Sequence, residues 1–286
     1  MKKFKLPLSL CLSLLILAAC QKENLEIQEE TAVTEEVVLD ASLELTDDVL
    51  SSLKKNYYNT NDISVIDFHL PDGTIQKRYR LEGDVSLTSE QMKAIADFDP
   101  STSKNYHTFN LVNPRTLTII GFTGRNFALS TKERQALQWA VNNYNRLNLG
   151  IRFNLTFGTN FQDKDLVVYN NDINTPASQQ GGEAGFPSNG NPNKFIQIYN
   201  LSSFSTNVNE HVITHEIGHS VGFRHSDWNT RRSCGQSGEP VNPFGAIPIP
   251  GTPEGYDPTS LMLACFSAST DGEFNSNDIT ALNYLY

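Results

Sequence analysis

The stretch that decides the fold is His215-Glu216-Ile217-Gly218-His219-Ser220-Val221-Gly222-Phe223-Arg224-His225, which fits H-E-x-x-H-x-x-G-x-x-H at every position. His215 and His219 stand four residues apart, so on an α-helix they lie about 40° apart around the axis and one turn apart along it. Both imidazoles then reach one metal ion. Glu216 is rotated from His215 by about 100°, beside the metal rather than on it, where it can take a proton from a bound water. Gly222 supplies the positive φ with which a helix stops and turns back, and the turn returns His225 as third ligand. Three neutral nitrogens leave one coordination place open for water, which is the arrangement of a catalytic Zn2+ rather than of a closed structural site. By residue frequency the bare H-E-x-x-H arises in roughly one chain in a hundred of this composition, and the added Gly and His lower that to on the order of one in a hundred thousand. An amphipathic core helix with ordinary hydrogen-bonded histidines is the plain alternative, and these frequencies disfavour it.

Upstream of the motif the chain reads as strand Arg115–Phe122, helix Ser130–Leu147, strands Ile151–Phe157 and Asp165–Tyr169, then a Gly/Asn/Pro-rich loop from Thr175 to Asn193. The helix starts on a capping box, with Ser130 as N-cap and Glu133 at N3. A possible edge strand spans Ala184 to Pro187, and Phe195–Tyr199 is a further strand. The motif helix is expected to be capped by Asn207 with Glu210 at N3. After it come a loop-rich segment from Ser226 to Pro258 and a closing helix from Ser276 to Tyr286. Nearer the N-terminus, Thr46–Tyr57 reads as a helix capped by Thr46, Ile63–Leu70 and Thr74–Leu81 as a hairpin around Pro71-Asp72-Gly73, and Ser89–Phe98 as a second helix. This αββα-like unit of residues 45–104 is either a propeptide or a permanent spacer domain.

The first residues give a cell address. Lys2, Lys3 and Lys5 precede an apolar stretch from Leu6 to Ala19 and the run Leu17-Ala18-Ala19-Cys20. The pattern predicts a lipoprotein signal peptide over residues 1–19 with Cys20 as the acylated residue, the alternative being an ordinary signal peptide or a retained anchor, and its apolar part is too short for an ordinary membrane span. With Gln21 next, the expected destination is the outer membrane or cell surface. Ten acids and one base fall between residues 21 and 50, which accounts for −9 of the net charge of −10. The segment 20–44 is expected to be a solvated tether. The remainder carries no basic excess, which argues against nucleic acid as a partner. Cys11 leaves with the signal, so Cys234 and Cys265 remain as a pair in an exported chain, where disulfides persist.

The order of strand, helix, strands, motif helix, Gly turn, loop, methionine and last helix resembles the metzincin clan of zinc endopeptidases. Within it, the His215-Glu216-Ile217-Gly218-His219 core resembles the dual-action HEIGH metallopeptidases, over roughly residues 105–286. The resemblance implies an α+β zincin domain with a mixed twisted sheet. It also implies a Met-turn beneath the metal, for which Met262 in Asp257-Pro258-Thr259-Ser260-Leu261-Met262 is the matching residue. The position two residues after it, a Tyr ligand in some metzincins, is Ala264. His211, one turn before His215, is expected to support the site rather than bind metal, since three ligands suffice. His69 and His107 fall outside the motif. No Cys lies between Gln21 and Ser233, so a cysteine switch is excluded and any latency must use a carboxylate or occlusion.

The expected function is therefore a lipid-anchored zinc endopeptidase with Glu216 as base, acting as a monomer on protein or peptide substrate. Substrate would lie antiparallel along the edge near Ala184–Pro187. The rivals are a non-catalytic, zinc-stabilised surface-binding lipoprotein and a narrow hydrolase of one host or envelope protein.

Overall fold

Strand β4 (Thr116–Phe122) sends Leu117 and Ile119 into one core and Ile120 and Phe122 into another. The alternation places apolar groups on both faces, so the sheet it belongs to must be covered twice. A computed structural model describes residues 43–55, 58, 60, 62–97, 108, 110–228, 230–236, 249–253 and 256–286. Cys20, the signal peptide, most of the expected tether, and His107 lie outside the described residues.

Helix α3 (Thr131–Asn145) follows β4, then strands β5 (Arg152–Gly158), β6 (Leu166–Asn170), β7 (Gly181–Glu183) and β8 (Phe195–Tyr199). These strands form a sheet of order β5-β4-β6-β8-β7, parallel except for β7, which pairs antiparallel with β8 at the edge. Ser130 caps α3 as the sequence predicts: its Oγ accepts from Glu133 N at 3.3 Å, and Glu133 Oε2 accepts from Ser130 N at 2.6 Å. The edge strand sits at Gly181–Glu183, just before the expected Ala184–Pro187.

The motif helix α4 (Thr206–Ser220) packs against α3 beneath the sheet. Every residue from Val208 to Ser220 is buried, so it has no solvent face to betray it by amphipathic pattern. Its N-cap is Ser205, whose Oγ accepts from Val208 N at 3.3 Å, and not Asn207. Glu210 is unavailable for the expected capping box because its Oε1 accepts from Asn143 Nδ2 on α3 at 2.8 Å. Tyr144 OH donates to Thr214 O at 2.9 Å and fastens the two helices. Helix α5 (Ser276–Leu285) closes the chain, with Asn275 and Asp278 forming its own capping box.

The N-terminal part holds α1 (Asp47–Lys55), β1 (Ser64–His69), β2 (Ile75–Leu81), β3 (Val85–Leu87) and α2 (Ser89–Asp97). The expected αββα unit is thus αβββα: the three-residue β3 extends the hairpin into an antiparallel sheet of order β1-β2-β3. This unit does not stand apart, and the described residues form one compact body. Phe68 and Leu70 join Ile120, Phe122, Phe161, Val167 and Tyr169 on the face of the large sheet away from α4. At the edge, β3 runs parallel to the segment after β7, with Ser86 N donating to Ala184 O at 2.7 Å and Ala184 N to Asp84 O at 3.0 Å. Among the described residues no helix is long and apolar enough to cross a membrane.

Candidate metal centre

Helix α4 carries His215 and His219 on its last turns, and Gly222 at φ 113° ends it. A Cβ there would meet Leu111 Cδ2 at 2.9 Å, so both the conformation and the space call for glycine. The reversal brings His225 back. All three rings are buried, and each Nδ1 faces an acceptor: Leu261 O for His215 at 2.9 Å, Phe223 O for His219 at 2.8 Å, Glu82 Oε2 for His225 at 3.1 Å. With each Nδ1 engaged in this way, the three Nε2 atoms are turned toward one another, the ring edge that binds a cation once deprotonated. The Nε2 atoms of His219 and His225 are 3.2 Å apart, and that of His215 is buried with no hydrogen-bond partner. Three converging imidazole nitrogens, one of them orphaned, fit a divalent transition metal.

A fourth ligand atom comes from far upstream. Asp84, in the turn between β2 and β3, points its carboxylate into the three rings: Oδ2 lies 3.0 Å from His225 Nε2 and 3.4 Å from His215 Nε2, and Oδ1 lies 3.8 Å from His219 Nε2. The candidate ligand atoms of these four residues lie within 4.8 Å of one another. Glu82, at φ 54°, is also buried, and it divides its carboxylate between His225 and Arg224 Nη2 at 2.9 Å. Neither acid was identified from the sequence.

Electrostatics follow from this crowding. Burial alone would raise Asp84 and Glu82, yet His225 holds Asp84 well below the usual carboxylate range, and Arg224 with His225 holds Glu82 at about 2. Burial alone would lower His225, but Asp84 and Glu82 push it up to about 10. His219, buried and beside two other imidazoles, falls to about 3. Glu216 goes the other way. Burial, then the Asp84 and Glu183 carboxylates, raise it well above 4.5. Its Oε2 is buried without a partner, and its carboxylate rests on the edge strand where a Cβ at Gly182 would stand 2.6 Å from Glu216 Cγ.

Residues 79–286 match the family described as dual-action HEIGH metallo-peptidases. The chain belongs to this family. Among solved structures it is similar to two of myroilysin. One is 16% identical, covering 61% of this chain and 80% of the other with a TM-score of 0.39; the second is 14% identical, covering 66% and 88% with a TM-score of 0.35. No curated protein matches the chain.

In this HEIGH metallo-peptidase Met262 lies against the motif helix, where a Cβ at Gly218 would approach its Sδ to 2.6 Å. Met262 O accepts from Ser226 N at 2.7 Å, which ties the methionine turn to the residue after His225. Cys234 and Cys265 are joined in a disulfide with Cα atoms 5.2 Å apart. Cys265 lines a cleft of about 300 Å3 that is also lined by Asp84, His215 and Glu216. His211 is outside the ligand group; its Nδ1 meets Thr270 Oγ1 at 2.9 Å, and burial followed by the charge of His215 lowers it to about 3. His69 lies on β1, with its carbonyl accepting from Tyr169 OH at 2.7 Å.

Proposed function

We propose that this metallo-peptidase is a zinc-dependent endopeptidase hydrolysing peptide bonds of proteins outside the cytoplasm. The observation that carries the reading is the set of three Nδ1 anchors, which turn three Nε2 atoms toward one point in the cleft that Glu216 also lines. His215, His219 and His225 would hold the ion. Zinc, when bound, supplies Lewis acidity that acidifies a water and stabilises charge on the attacked carbonyl. Glu216 accepts the proton of the attacking water at its unpartnered Oε2 and returns it to the leaving amine. A carboxyl whose surroundings raise its proton affinity is suited to hold that proton between the two events. Backbone groups at the edge next to Gly182 and Ala184 would take an extended substrate by strand addition.

In the described form that position is taken. Asp84 stands where a fourth ligand would, and β3 occupies the edge in parallel rather than in the antiparallel sense expected of substrate. We read this as a closed state, in which the N-terminal unit must move before substrate enters. Export with lipid on Cys20, and a surface location, remain part of the proposal on the strength of the leader sequence alone.

The test is hydrolysis of casein or gelatin by purified protein with and without phenanthroline, beside a Glu216→Gln variant. We expect phenanthroline to abolish cleavage, zinc to restore it, and Glu216→Gln to keep metal while losing about a hundredfold or more in kcat, the scale of a general base. Full activity in Glu216→Gln defeats the mechanism.

A further inference from the structure

The wall of the cleft contains a cation that the peptidase chemistry does not use. Arg231 is 7% exposed and adopts a left-handed conformation at φ 46°, just after Trp228 and close to the disulfide. Its Nε and Nη1 have no hydrogen-bond partner, and Nη2 makes only a 3.9 Å contact with Cys234 Sγ. Among the described residues no carboxylate forms an ion pair with it. A guanidinium withdrawn from water without an anion is costly, so its retention in the wall of this cleft calls for a ligand. The same cleft is lined by Arg231, Glu216 and His215.

What now lies against Arg231 indicates the chemistry of that ligand. A Cβ on Gly83 would be 3.4 Å from Arg231 Nη2, so the guanidinium sits at the tip of the turn Glu82-Gly83-Asp84. The turn brings two carboxylates to this part of the cleft, one bound to Arg224 and His225 and one among the imidazoles. When the turn leaves, both negative charges leave with it, and Arg231 faces an open cleft. The occupant drawn from the chain itself is acidic on either side of a small residue.

We propose that Arg231 determines specificity by pairing with an aspartate or glutamate side chain close to the scissile bond, so that the cleft selects acidic peptides. The inference rests on the peptidase reading above, and it makes a claim about binding that survives without turnover. Guanidinium suits this task because its planar fork engages a carboxylate through two parallel hydrogen bonds.

The experiment uses the full chain carrying Asp84→Ala to loosen the turn, stripped of metal. Two fluorescent peptides are titrated, identical except that one carries Asp or Glu and the other Asn or Gln next to the central bond. The acidic peptide is expected to bind roughly tenfold more tightly, the scale of one added charge-assisted pair. Adding Arg231→Gln should erase the difference, and Arg231→Lys should restore part of it, which a merely structural role for the side chain would not do. Equal binding of the two peptides, a preference that persists in Arg231→Gln, or no binding of either peptide overturns the proposal. With zinc restored, the preference should appear in KM more than in kcat. Acidic binding without any hydrolysis sinks the peptidase reading and leaves Arg231 its role; hydrolysis of both peptides with equal kcat/KM does the reverse.

Discussion

Replacing Asp84 by Ala should release activity from a chain that has not been processed. The substitution removes the carboxylate contacts at 3.0 Å and 3.4 Å with His225 and His215. It leaves in place the Glu82 pair with Arg224 and the two backbone bonds between the Asp84–Ser86 stretch and Ala184. A hydrogen bond to a charged group contributes about 1.5 to 3 kcal/mol net. Since about 1.4 kcal/mol is a factor of ten in a two-state equilibrium, the open population should rise about tenfold to a hundredfold. The assay is the initial rate of cleavage of an internally quenched peptide by full-length wild type and Asp84→Ala under identical metal loading. Wild type should begin slowly and accelerate only if its N-terminal part is cut. Asp84→Ala should begin at the faster rate at once. A variant that folds, binds metal equally and yet starts no faster than wild type refutes the reasoning, because Asp84 would then be no barrier to substrate.

Two further outcomes follow from the packing. Cys234→Ala with Cys265→Ala opens a loop of sequence separation 31, which by loop entropy should cost about 3 to 4 kcal/mol and be seen as a lower urea midpoint; an unchanged midpoint contradicts it. Burial raises Glu210 from 4.5 to about 7, with the Asn143 hydrogen bond pulling the other way. Its neutral form is therefore favoured in the folded protein. The stabilisation is full below pH 4.5 and disappears as pH rises through about 7. Glu210→Gln should accordingly raise Tm over wild type at pH 8 and change it little at pH 4.5, by less than the full linkage value because nearby solvent screens this carboxyl. The same difference at both pH values would rule this out.

The centre of the site was legible because its information is local. The spacing of His215, His219, Gly222 and His225 fits the geometry of one helix and one turn, and Ser130 with Glu133 announces a helix start within four residues. What the sequence concealed depends on distance or on competition. Asp84 and His225 are separated by 141 positions, and no spacing rule joins them; the sole clue was the lack of a cysteine upstream. Strand β3 is three residues long, and its pairing is fixed by Tyr79, Arg80 and Leu81 rather than by propensity. The edge strand fell on Gly181-Gly182-Glu183, which has poor strand composition because Glu216 fills the volume a side chain at Gly182 would need. Asn207 with Glu210 imitated a capping box, but packing against Asn143 claimed the glutamate and Ser205 took the cap. Arg231 carries no motif at all, and only its burial without a partner marks it.

The most direct trial of the account is X-ray absorption at the zinc edge on the purified full-length protein, with metal content measured on the same sample. The account predicts one zinc per chain bound by three imidazole nitrogens and one oxygen, and loss of that signal on substituting any one of His215, His219 or His225. A spectrum with sulfur ligands, or one that stays unchanged when His219 is replaced, contradicts it.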